Sequence, residues 1–364
     1  MLSTAANKEG RGIARLAGAG FASLIALAVM LGFTSAASAN PIADGSTALT
    51  VDKRPAKALK QNKVKVQRVK PAKVQQGSFV FPVTGGKLDP TDASTGVIRH
   101  SGGLRFKKGK RKLVAKQFVI KVANGVVVAK VGNSKKSAND KVRLLSVDLS
   151  KAEITRDGFG IDVKRVGLSL TGSAAKALNK TLKTKVFKKG LRLGHAVVKT
   201  QPSSVGLAAE GSTDLTPDAG TVGVLIGAGV TPAPIAPATV TPGGDFSFPI
   251  TGGRADVNSF AGSITHSGGI SLTQGGTVLE LTDFTINVDG DPDLTAVVNG
   301  GDRVSILDLD LSGLTVNVDP LDITLGNAAA NISADAAGAL SATFGLPDTT
   351  GAPFGVATIN AVAN

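Results

Sequence analysis

The chain has no cysteine, no tyrosine and no tryptophan, and among its 364 residues there are only three histidines. Without cysteine there are no disulfides, no thiolate metal sites and no lipid-modified N-terminal thiol, so stability has to come from apolar cores. Phenylalanine supplies every aromatic ring, with 14 residues. Missing too are a histidine pair at metal-binding spacing, a nucleophile elbow and a glycine-rich phosphate loop, so no familiar catalytic motif is present and enzymatic activity is not expected.

Acidic residues are scarce in one half and basic ones in the other. From Asn40 to Val205 the chain carries a net +27, and from Gly206 onward −15, while the overall charge is only +14. Such a field draws the first half toward anionic cell-wall polymers, a membrane surface or nucleic acid, and repels the second from them. Divergence of surface charge between two duplicated domains accounts for the same numbers. The dense run Lys107, Lys108, Lys110, Arg111 and Lys112, and later Lys183, Lys185, Lys188 and Lys189, would attract phosphate. Without Tyr or Trp to stack bases they read instead as a solvated face or a wall-polymer contact, and no specific nucleic acid is expected.

Lys8, Arg11 and Arg15 precede an apolar run from Leu16 to Phe33, and Ala37, Ser38 and Ala39 follow it. Basic, apolar and small-residue segments in that order predict a signal peptide over residues 1–39, cleaved before Asn40, and a secreted or envelope protein with no membrane span after cleavage. About 320 residues then remain, which suits two domains.

A repeat defines them. Gly45, Ser46, Thr47, Leu49, Thr50 and Asp52 return as Gly211, Ser212, Thr213, Leu215, Thr216 and Asp218. Phe79, Phe81, Pro82, Thr84, Gly85 and Gly86 return as Phe246, Phe248, Pro249, Thr251, Gly252 and Gly253. Gly96, Ile98, His100, Ser101, Gly102 and Gly103 return as Gly262, Ile264, His266, Ser267, Gly268 and Gly269. Two modules follow, a Lys-rich one over 40–205 and an acidic one over 206–364.

Within each module the apolar period is two, as in Phe118, Ile120, Val122 and Phe284, Ile286, Val288, with Gly, Asp, Asn and Ser at short intervals. This rhythm predicts an all-β fold, two tandem antiparallel β-sandwiches or barrels. Short helices are expected at Lys53–Gln61, capped by Asp52, and around Ala174–Leu178, capped by Thr171 or Ser173. A counterpart of the first is expected around Thr221–Ile226, although Thr and Val are weaker helix formers.

His100 and His266 are the leading candidate site residues, since imidazole serves as metal ligand or proton acceptor and each stands before a Gly-Gly pair where a flat ligand or another backbone can approach. A histidine that fixes the turn by bonding the backbone fits the same pattern. His195 has no counterpart, because Val356 takes its place. Asp308 and Asp310 share a strand face at a spacing two catalytic carboxylates could use, but the first module has Ser146 and Asp148 there. Asp289, Asp291 and Asp293 resemble part of a calcium loop without its spacing.

The Phe79–Gly86 string, the turn His100, Ser101, Gly102, Gly103, Leu104, the Asp148 strand and the Leu170–Leu178 segment together resemble the HtaA-type module of Gram-positive cell envelopes. The resemblance implies a β-sandwich with a short helix, secreted or wall-associated, that binds haem without transforming it and passes it toward an uptake system. It implies an iron-bound tyrosine oxygen, a histidine bonded to that tyrosine, and phenylalanines against the porphyrin. His100 and His266 match the histidine, as metal-site or ligand-binding residues, and Phe79, Phe81, Phe246 and Phe248 match the ring contacts. No tyrosine is present to match the ligand. Haem would then bind through a histidine, or through apolar contact and pairing of its propionates with Lys or Arg.

Overall fold

In the computed structural model, which describes residues 39–364, two all-β modules follow one another. The expected signal peptide and its cleavage site lie outside the described residues or at their edge. Among the described residues no helix is long and apolar enough to cross a membrane.

The first module consists of β1 (Asn40–Val51), α1 (Lys53–Gln61), β2 (Lys65–Val69), β3 (Lys73–Gln75), β4 (Ser78–Leu88), β5 (Gly96–His100), β6 (Gly103–Lys108), β7 (Arg111–Lys121), β8 (Val126–Gly132), β9 (Asp140–Asp148), β10 (Glu153–Asp157), β11 (Gly160–Leu170), α2 (Gly172–Leu182) and β12 (Arg192–Pro202). The second repeats this order as β13 (Ser204–Pro217), α3 (Ala219–Gly227), β14 (Thr231–Ile235), β15 (Thr239–Val240), β16 (Phe246–Asp256), β17 (Gly262–His266), β18 (Gly269–Gln274), β19 (Thr277–Asn287), β20 (Asp293–Val298), β21 (Arg303–Asp310), β22 (Thr315–Asp319), β23 (Asp322–Ile332), α4 (Ala334–Phe344) and β24 (Pro353–Ala363).

All pairings are antiparallel. In the first module β7, β5, β4, β1, β12, β11, β9 and β8 are neighbours in that order, and β8 pairs back onto β7. The sheet therefore closes, and the predicted sandwich takes the form of one barrel in which each strand of the ring is paired on both sides. β6 and β2 extend from β7 as a flap, while β3 and β10 flank β4 and β11. The second module closes identically through β19 and β20. Side chains of alternate residues point inward, so Thr47, Leu49, Phe81, Val83, Ile98 and His100 are buried together in the first core.

The helices occupy the expected places, with one missed: α4, the counterpart of α2. Thr171, Asp218 and Ser333 cap α2, α3 and α4 by accepting from the backbone N–H three residues on, at 3.2, 2.9 and 3.1 Å. Asp52 precedes α1 in an extended conformation but makes no capping bond. Its carboxylate is taken by Arg192 Nε at 3.3 Å and His195 Nδ1 at 3.1 Å on β12, because a charged partner competes better than a backbone amide.

Ser203 joins the two barrels. Asn40 at the start of β1 accepts from the Gly206 N–H at 3.1 Å, and Phe159 of the first module packs against the second core.

Candidate functional site

His100 ends β5 pointing into the first barrel and is only 4% exposed. Its Nε2 lies 2.7 Å from the Thr47 hydroxyl on β1, and its Nδ1 lies 3.2 Å from the Phe118 carbonyl on β7. A carbonyl can only accept, so the network assigns the ring proton to Nδ1, and the Thr47 O–H donates to the Nε2 lone pair. Phe118 offers its carbonyl because β7 bulges at Gln117, which has φ +53° and breaks the register with β8 between Lys116 and Val119. Burial penalises the imidazolium and lowers the His100 pKa to about 4, with the Phe118 bond pulling slightly the other way.

The second barrel repeats the arrangement. His266 Nε2 is 2.7 Å from the Thr213 hydroxyl, its Nδ1 is 3.3 Å from the Phe284 carbonyl, and burial again lowers its pKa to about 4. Both nitrogens of both histidines are thus engaged, and neither presents a lone pair to a ligand.

The glycines after each histidine serve another backbone. Gly102 has φ +81°, and a Cβ there would sit 2.6 Å from the Ala72 amide nitrogen, while one on Gly103 would sit 2.2 Å from the Ala115 carbonyl oxygen. Gly268 and Gly269 meet Ala238 and Leu281 in the same way.

Phe81 lies beside His100 on the inward face, its ring edge-on to Phe118 at 4.9 Å. Phe248 meets Phe284 at 4.8 Å and stacks with Phe246 at 6.4 Å. Phe79, two residues from Phe81, is partly buried and reaches the surface beneath α1. There a groove of about 730 Å³ is lined by Val51, Ala56, Leu59, Val64, Val66 and Phe79, with Lys60, Lys63, Lys65 and Lys107 around it. Residues one repeat further on are Ile226, Gly229, Thr231 and Thr273, so the second module lacks these four charges.

Each barrel also holds an apolar cavity, about 240 Å³ in the first and about 80 Å³ in the second. The other candidates come apart. Asp310 is exposed and turns back to accept from the Ser312 N–H at 2.8 Å, and Asp308 beside it faces solvent. Asp293 accepts from the Asn287 amide at 2.7 Å, and among the described residues no group of three or more His, Cys, Asp or Glu is placed to hold a metal ion.

Sequence pattern alone does not single out Thr47 and Thr213 as partners of the histidines. The signal was present, since both belong to the repeat and both precede their histidine by 53 residues, but a threonine in an alternating strand reads as an ordinary strand residue.

Three domain structures from Corynebacterium glutamicum are similar to this chain. The C-terminal domain of HtaA is 14% identical, with a TM-score of 0.34, over 45% of this chain and 98% of that one. The N-terminal domain of HtaA is 16% identical, with a TM-score of 0.29, over 44% and 98%. The haem-binding protein HtaB is 10% identical, with a TM-score of 0.29, over 45% and 96%. Among curated proteins no sequence matches. The family model Htaa matches residues 41–183, which span the first barrel through α2. The first barrel therefore matches the HtaA-type module over these residues, and the second barrel repeats its sequence pattern and strand order.

Proposed function

We propose that this is an exported, non-enzymatic binding protein of the cell envelope that takes haem or a related porphyrin in the α1 groove of its first module, with no bond from the protein to iron. The observation that carries this reading is the groove itself. Its apolar floor and Phe79 suit the flat face of a macrocycle, and Lys60, Lys63, Lys65 and Lys107 are placed to pair with propionates. Its volume falls within the roughly 300–1,000 Å³ usual for small-molecule pockets. The family match and the haem-binding HtaB neighbour supply the choice of ligand.

The chain has no phenolate to offer, and its buried histidines are already bonded, so recognition rests on the porphyrin and its carboxylates and not on the metal. Metal-free protoporphyrin IX is then expected to bind within a few-fold of haem in absorbance titrations. Lys60→Glu with Lys107→Glu is expected to weaken both by more than tenfold, while His100→Gln changes neither. Loss of the Soret shift on His100→Gln, or binding of haem without binding of protoporphyrin, would refute the reading. The basic first module also fits an anionic wall polymer, a second reading favoured by the opposite charges of the two modules.

A further inference from the structure

The two barrels share a fold and a buried Thr–His pair but differ in how their interiors are filled. In the first, the cavity of about 240 Å³ runs from Thr47 and His100 to the surface at the 89–95 loop, where Asp92 and Ser94 are exposed. In the second, a cavity of about 80 Å³ starts from the equivalent Thr213 but reaches toward Ala336, Ala339 and Leu340 of α4 instead of the 257–261 loop. At the end of the barrel where the first cavity opens, the two modules differ in two places. The turn after β9 and the turn after β21 make the same two hydrogen bonds, with Asp148 and Asp310 each accepting from the serine N–H two residues on, yet Ala152 in the first stands where Leu314 packs against the core of the second. The neighbouring loop brings Ala93, at φ +52°, onto the first core, whereas the corresponding 257–261 loop brings Phe260, at φ +57°, onto the second. Small residues thus stand at this end of the first barrel where large ones pack in its twin.

The chemistry of the open interior limits what enters it. Its polar lining consists of Thr47 and His100, which satisfy each other at the inner end, and Asp92 and Ser94, which bond each other at the mouth with a Ser94 N to Asp92 Oδ1 distance of 2.7 Å. Nothing between these ends hydrogen-bonds a guest. A dry cavity of about 150 Å³ accommodates benzene, so this one takes a longer apolar group, yet it lies below the roughly 300 Å³ at which pockets for drug-sized molecules begin. Beside the mouth, Lys151 sits in the turn with Ala152, and Arg156 donates to the Pro90 carbonyl at 2.5 Å. Asp92 at the mouth is itself anionic, so it is the net +27 of the module, together with these two cations, that favours a negative headgroup.

We propose that the interior of the first barrel is a binding site for a single unbranched acyl chain of an anionic amphiphile, its tail directed toward the Thr47–His100 pair and its head left at Lys151 and Arg156. This site is separate from the α1 groove and stands whether or not a porphyrin binds there.

The test is titration of the full chain with cis-parinaric acid, whose polyene emission rises in an apolar site and is read without background because the protein has no tryptophan or tyrosine. One saturable equivalent per chain is expected. Ala93→Phe with Ala152→Leu, which installs the large residues of the second barrel, is expected to lower affinity at least tenfold, whereas Phe260→Ala with Leu314→Ala adds a second equivalent. Where the first double variant does not fold by circular dichroism, Ala152→Leu alone carries the test, with at least a threefold loss. Vesicles of parinaroyl-labelled phosphatidylglycerol separate the sources: transfer of labelled lipid to the protein assigns the chain to a membrane lipid, and binding of the free acid without transfer assigns it to a fatty acid. Absence of saturable binding, or wild-type affinity in the folded variant with Ala152→Leu, overturns the proposal. Lys60→Glu with Lys107→Glu leaves parinaric acid binding unchanged, which keeps failure of the porphyrin reading distinct from failure of this one.

Discussion

Acidification from pH 7 to pH 4 should destabilise each barrel through one buried histidine. His100 and His266 stay neutral in the folded state down to about pH 4, whereas in the unfolded chain each protonates near its ordinary value of 6.5. The unfolded state therefore binds the extra proton first, and stability is full above about pH 6.5, falls progressively down to about pH 4, and levels off below. At 1.36 kcal/mol per pH unit, the whole window is worth about 3 kcal/mol per module, of which about 2 kcal/mol is already lost at pH 5. The carboxyls held low, such as Asp92 by the Ser94 hydroxyl and Asp310 by the Ser312 N–H, contribute only below about pH 4. Urea unfolding followed by far-ultraviolet circular dichroism at pH 7, 6, 5 and 4.5 measures the slope. His100→Gln with His266→Gln removes both titrating groups while keeping an amide able to donate and accept. A wild-type stability that is flat between pH 7 and 4.5, or a slope that survives the double substitution, would refute the reasoning.

Thr47→Val keeps the shape of the side chain but leaves His100 Nε2 buried without a donor, and about 1–3 kcal/mol should be lost in urea unfolding, with the same loss for Thr213→Val. Gly102→Ala forces a Cβ to within 2.6 Å of the Ala72 nitrogen at a φ of +81°, so it should destabilise the first module by more than about 1 kcal/mol, whereas Ala at Gly190, which meets nothing within 4 Å, should cost less.

Much of the architecture was legible before any coordinates. Alternation such as Phe118, Ile120, Val122 has a period that only a strand can turn to one face, and Lys53–Gln61 and the Thr171 cap announced their helices through local preferences. Duplication supplied the rest, because a second copy at a fixed offset marks Thr47, His100 and the Gly-Gly turn as parts of one unit. Local pattern could not reveal that Asp52 abandons α1 for Arg192, about 140 residues away, since capping preference contains no information about a distant cation. Nor could it show that α4 follows Ser333, where alanines and a mid-helix glycine carry little periodic signal.

By itself, then, the sequence determined an all-β chain of two matched modules with opposite charge and no covalent staples, because strand alternation, internal repetition and composition are local or additive properties. The tertiary structure alone decided that each sheet closes through β7 with β8 or β19 with β20, that the histidines spend both nitrogens on Thr47 and Phe118 or Thr213 and Phe284, and that the two barrels enclose cavities of different size. Those outcomes depend on which residues meet across a closed ring, and contact between strands far apart in the chain is written in no single segment of it.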